Sequence, residues 1–344
     1  MASLAKYSFR FYSNGSAREI PNSTFVSRSF AEVYVQWIQA LFQGQSRLII
    51  ILGGIFFFAS LLVSPLILLA IFTRTNLRQE SRYLLLSNSL VCDLIYLATN
   101  FCIQLCNAFP LSSPKVLCEL LLFILTATCC CGIMSITAMV IDTYLAVNWP
   151  LHYITLLPPS RTVRFIILLW VLGAMPQFVC TAVMITMQQS PFCKVRVCEV
   201  DYIFLKVPHG TVFAQLFYGL IILLLLSCIC LLLSCYFMLY WKTRNSGIWR
   251  GFTSRARLTF LMHSVLFFLY FSSILLMAIE RILYYCGIIR FETAFFITWT
   301  MSNVIMMAPK ALGPYFYAMR YRELAKVIKS FIFVKDVNQV EPTC

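Results

Sequence analysis

The chain has 344 residues, 60% of them hydrophobic, 15% aromatic and only 12% charged, about half the charged share of a soluble domain. That excludes a soluble globular protein and describes a chain that crosses a membrane several times. The formal net charge of +14 does not point to nucleic acid, because in such a chain Lys and Arg collect in cytoplasmic loops.

Residues 1–46 form a polar tail without the apolar core of a signal peptide, so the first span must direct insertion itself. The tail holds two N-x-Ser/Thr sequons, at Asn14 and Asn22, and glycosylation at either puts it outside the cell. Seven apolar stretches follow, at about 48–73, 83–109, 117–147, 163–187, 210–241, 258–283 and 293–318, each long enough to span a bilayer. The expected fold is therefore an all-α membrane bundle of seven helices over residues 47–319. Arg74, Arg78 and Arg82 flank the first loop, Arg161 and Arg164 the third, and Lys242, Arg244, Arg250, Arg255 and Arg257 fill the fifth. The alternate loops mix basic residues with Glu119, Glu199, Asp201 and Glu292. This bias orients the chain with its N-terminus outside and its C-terminus in the cytoplasm of a plasma-membrane protein. Residues 320–333 alternate basic and apolar side chains at helical spacing and read as a short amphipathic helix on the lipid surface, ahead of a disordered tail at 334–344.

Fifteen cysteines are present, most inside apolar runs where the thiol packs as a small hydrophobe. Cys118, Cys193, Cys198 and Cys286 alone fall where an oxidising compartment could pair them. No Cys/His cluster has metal-ligand spacing, and His152, His209 and His263 are scattered. Cys129, Cys130 and Cys131 point in three directions around one helix. A catalytic reading, a metal site and a bound cofactor are accordingly not expected. A transporter is a remote alternative, because the spans show no inverted repeat and only Asp93 and Lys310 place charge deep within them.

The stretch from Cys118 to Tyr153 is the most specific. About 25 of its residues carry almost no charge and reach some 38 Å as a helix, which sets Cys118 and Asp142 at opposite faces. It closes on Asp142-Thr143-Tyr144-Leu145-Ala146-Val147, followed by Pro150-Leu151-His152-Tyr153. This ending resembles the third transmembrane helix of class A, rhodopsin-like G protein-coupled receptors, whose signature is Asp-Arg-Tyr-Leu-Ala-Val and then Pro-Leu-x-Tyr. Thr143 stands where the family has arginine. Asn88 to Leu94 with Asp93, Trp170 in the fourth span, and Gly313-Pro314-Tyr315-Phe316-Tyr317 are similar to further family marks, in the right order. Val63-Ser64-Pro65, Ser246 to Trp249, Ser254 to Arg257 and His263 to Val265 resemble, more closely, a brain- and testis-expressed orphan-receptor group of this class with some odorant-receptor character.

The resemblance implies a population switch in which an outside ligand opens a cytoplasmic cleft for a heterotrimeric G protein. The switch-facing positions are Asp142, Thr143, Tyr144, Tyr270, Pro314 and Tyr317. In the family the missing arginine holds the closed state and then contacts the G protein. Thr143 has neither its charge nor its reach, so weak or atypical coupling is expected, with a non-coupling binding, scavenging or partner protein as the alternative. Asp142 is left to accept hydrogen bonds from the cytoplasmic loop or to pair with Arg161 or Arg164. The fifth and sixth spans also lack the family's prolines, so their kinks have no local cause.

Lys310 lies one helical turn before Pro314 in an otherwise uncharged span, and an ammonium there needs a partner. In the family this turn faces the buried aspartate across a site that holds sodium. Lys310 is expected to replace the sodium by an ion pair with Asp93. The resemblance also implies a disulfide from Cys118 to the second outer loop, at Cys198 or Cys193, with Cys198 favoured because it leaves the shorter run to the fifth helix. Leu125 occupies the position where amine receptors carry an aspartate, so the unknown extracellular ligand is not expected to be a biogenic amine.

Overall fold

The computed structural model describes residues 50–108, 113–149, 157–187 and 301–320, with shorter pieces and single positions elsewhere. The tail 1–46 with Asn14 and Asn22, the segments 321–333 and 334–344, and Cys193, Tyr270 and Cys286 lie outside the described residues. Helix α1 is Ile50–Thr73, α2 Thr75–Arg78, α3 Ser81–Ala108, α4 Lys115–Asn148, α5 Pro159–Met187 and α6 Met307–Arg320. Among the described residues four helices, α1, α3, α4 and α5, are long and apolar enough to cross a membrane. Continuous helix is what the bilayer demands of such sequences, because each backbone N–H and C=O must find its partner inside the chain.

Helix α3 is described as far as Ala108, and local sequence explains where α5 begins. Pro159 opens α5, where a missing N–H costs nothing, and the Pro158 carbonyl accepts from the N–H groups of Arg161 and Thr162 at 3.0 and 3.1 Å. The helix therefore begins about a turn before the apolar run at 163. Arg161 and Arg164, expected to flank the third loop, stand exposed in its first turns, where long basic side chains reach water.

Helices α3 and α4 form the centre, with α5 against α4 and α6 against α3. At Gly173 of α5, an added Cβ would lie 3.0 Å from the Cys131 nitrogen and 3.2 Å from the Ala127 oxygen of α4, so the two backbones meet through the absent side chain. A polar seam crosses the same region. Asn88 of α3 donates to Ser135 Oγ of α4 at 2.8 Å, and its oxygen accepts from Trp170 Nε1 of α5 at 2.8 Å. The main apolar core, with Ile67, Leu86, Leu90, Ile136, Leu169 and Tyr317 among its members, draws on α1, α3, α4, α5 and α6. Ile55, Leu62, Leu69 and Phe72 of α1 and Ile167, Val171 and Phe178 of α5 point outward, as lipid-facing side chains do.

The last helical segment is not regular. A π-helical turn at Met301–Ile305 precedes α6, and Met306 N bonds Met301 O at 2.9 Å across it. Pro309 stands four residues after Ile305 and, having no N–H, cannot close an α-helical bond to the Ile305 carbonyl.

Candidate functional site

Two polar centres lie on the inner faces of these helices, and a third closes one end of the bundle. At mid-helix, Lys310 of α6 is 0% exposed and Asp93 of α3 2% exposed, with Lys310 Nζ donating to Asp93 Oδ1 at 2.9 Å. A buried ammonium or carboxylate alone costs several kcal/mol, so each explains the other's presence. The ammonium also stands 4.6 Å from the centre of the Tyr96 ring, a cation–π contact that adds to its stabilisation. Gly132 of α4 lies beside the pair. A Cβ there would lie 3.6 Å from both Lys310 Nζ and Asp93 Oδ1, so a larger side chain would press on the pair. Among the described residues no group of three or more His, Cys, Asp or Glu side chains is placed to hold a metal ion.

At the far end of α4, Asp142 is buried and its Oδ1 accepts from Ser81 Oγ at 2.5 Å and from Tyr153 OH at 2.9 Å. The two hydroxyls are themselves 2.7 Å apart. The carboxylate thus takes its bonds from the start of α3 and from the segment between α4 and α5, and its partners are neutral. Burial, and then the nearby carboxylate, push the Tyr153 phenol above its ordinary pKa, so it stays a donor. Arg161 donates to the Thr155 carbonyl at 3.3 Å. Thr143 turns back on its own helix, its Oγ1 donating to Met139 O at 2.8 Å. Tyr144 donates to Met238 Sδ at 3.0 Å and packs edge-on against Trp149 at 6.2 Å. Pro314 and Tyr317 are buried within α6.

At the opposite end, Cys118 and Cys198 form a disulfide. Asn107, at the end of α3, clamps the same loop. Its Nδ2 donates to Cys198 O at 2.9 Å and its Oδ1 accepts from Cys198 N at 2.7 Å. A two-residue antiparallel pairing of β1, Ser113–Pro114, with β2, Lys194–Val195, joins the two loops.

Sequence reasoning missed Tyr96, Gly132, Ser81 and Asn107. Asn107 and Tyr96 stand on the inward face of α3 at helical spacing from Asp93 and Asn100, a signal that was available. Gly132 and Ser81 carry no signature of their own, because each matters only through a partner on another helix.

These features sit within a sequence that has relatives. The family described as "7 transmembrane receptor (rhodopsin family)" matches residues 64–317. The Homo sapiens protein named "Probable G-protein coupled receptor 148" is 31% identical over 280 residues, covering 80% of this chain and 79% of that protein. Olfactory receptor 4K14 of Homo sapiens is 26% identical over 291 residues, covering 80% and 88% of the two chains. Olfactory receptor 4F6 of Homo sapiens is 24% identical over 164 residues, covering 47% and 51%.

Proposed function

Because the chain belongs to the rhodopsin family of seven-transmembrane receptors, we propose that it passes an extracellular signal to a heterotrimeric G protein through a weakened contact at Thr143. Membership brings the seven-helix bundle, a multi-pass membrane location, and in general a non-enzymatic receptor with an extracellular ligand and a G protein as partners. The finer reading orients the disulfide end outside and the Asp142 end in the cytoplasm, with Asn14 and Asn22 glycosylated. The observation that carries it is the state of the Asp142–Thr143–Tyr144 corner. Asp142 is served by the neutral hydroxyls of Ser81 and Tyr153, and Thr143 is folded back on Met139 O. Thr143 brings no cation that would reach a G protein. Leu125, part-buried in the apolar cluster of Tyr96, Leu97 and Met307, offers no anion to an amine ligand. Nucleotide exchange on purified G proteins, driven by the full chain in lipid nanodiscs, tests this reading. Slow exchange on at least one G protein is expected, and exchange no faster than empty discs on every one would favour a binding or partner protein instead.

The second part of the proposal is that Lys310 takes the place of the sodium ion expected beside Asp93. The ammonium 2.9 Å from the carboxylate supports it, since a second cation would meet a like charge, as does the bare backbone of Gly132, which offers no side-chain oxygen. The thermal midpoint of the chain should not change when sodium is exchanged for a bulky organic cation. A sodium-dependent rise in the unaltered chain would refute the replacement.

A further inference from the structure

The switch of this chain needs a hinge, and the fifth and sixth spans contain no proline that could kink them. Among the described residues of the spans, irregular backbone lies in the π-helical turn Met301–Ile305. Such turns are less stable than α-helix and persist where a neighbour holds them.

Here the neighbour is Gln104 of α3, a buried amide about three helical turns toward the disulfide end from Asp93. Its Nε2 donates to Asn303 Oδ1, in the middle of the wide turn, at 2.9 Å. The same nitrogen stands 3.8 Å from Met307 Sδ, beyond the turn. The other side of the amide is lodged in α1. A Cβ on Gly53 would lie 2.1 Å from Gln104 Oε1 and 2.8 Å from its Cδ, so the amide fills the notch that glycine leaves. Among the described residues its oxygen has no hydrogen-bond partner, and it lies against Gly53. One side chain thus bridges α1, α3 and the wide turn. Below the turn, Lys310 and Asp93 bind the same helix to α3 a second time.

We infer that Gln104 is the latch of a hinge at Met301–Ile305. With the amide seated between Gly53 and Asn303, the wide turn is kept and the segment above Lys310 is held against α3. With the amide withdrawn, the turn rewinds toward α-helix. A change of one residue in register turns a helix face by about 100°, so the segment above the ion pair rotates against the segment below it. The ion pair sets the lower limit of the motion, and the latch is neutral and shares no atom with it.

Hydrogen–deuterium exchange on the full-length chain in lipid nanodiscs tests this hinge directly, without any ligand or G protein. Gly53→Ala lies on α1, outside the turn, yet it must displace the amide. It should speed exchange of the amides at 301–308 by about fivefold or more, the loss of one buried hydrogen bond, and leave those at 311–317 unchanged. Asn303→Leu should do the same. Gly54→Ala, whose Cβ meets only the edge of Phe101 at 3.4 Å, should change neither. Adding Gly53→Ala to Gln104→Leu should have no further effect, because the amide is already gone. Wild-type exchange at 301–308 in Gly53→Ala, acceleration spread evenly along the whole of α6, or full additivity with Gln104→Leu would each overturn the latch.

Discussion

Removing the positive charge at Lys310 while keeping most of its volume, as in Lys310→Met, leaves Asp93 in a site 2% open to solvent with its 2.9 Å partner gone. Breaking one side of a buried ion pair costs about 3–5 kcal/mol, whereas replacing both partners by neutral groups is often close to neutral. Asp93→Asn should cost a similar amount, because it strands the ammonium between Tyr96 and Gly132. The double variant should recover most of the loss, to within about 1–2 kcal/mol of the parent. Unfolding in mixed micelles and the level of full-length protein at the cell surface both read the effect. The reasoning fails if the two single defects simply add, since two charges that do not meet have no coupling to lose.

Lys310→Ala should go further and open room beside Asp93, so that the thermal midpoint of this variant rises with sodium while that of the parent does not; a flat response in both would count against a cation-binding carboxylate. Ser81→Ala and Tyr153→Phe each remove one donor to Asp142 and should cost about 1.5–3 kcal/mol. Together they should cost more than either by raising the burden on the lone carboxylate, and additive losses below about 0.5 kcal/mol each would show that the hydroxyl triangle is incidental. Gly173→Leu should abolish surface expression, because its Cβ already falls 3.0 Å from the α4 backbone; normal expression would mean that α5 does not approach α4 at that point.

Much of the architecture was legible because a bilayer leaves a chain few choices. Long apolar runs had to be helices, although α5 begins at Pro159, about a turn before the apolar run at 163. Lys310 stood out because an ammonium in an apolar span cannot stand alone, and the structure sets Asp93 beside it. The place of Gly132 was not legible, since it meets the pair from a third helix, an added Cβ lying 3.6 Å from both charged atoms. Tyr153 came with its motif, but Ser81 looked like any residue between a loop and a span until α3 brought it to Asp142. Arg161 and Arg164 were set at the flank of the third loop by their charge, and both stand exposed in the first turns of α5, where long side chains reach water. The wide turn at Met301–Ile305 was hidden in a run of apolar residues where only Pro309 hinted at a break, and Gln104 gave no sign of its place between three helices.

The central claim is weakened coupling through Thr143. The most direct test is G protein activation in cells expressing the chain beside its Thr143→Arg variant, with surface level measured for both. The account predicts a signal from the parent chain that is above that of empty cells and below that of the arginine variant. A signal from Thr143→Arg alone, with the parent at background, would contradict it, and would leave a competent seven-helix bundle that engages other partners.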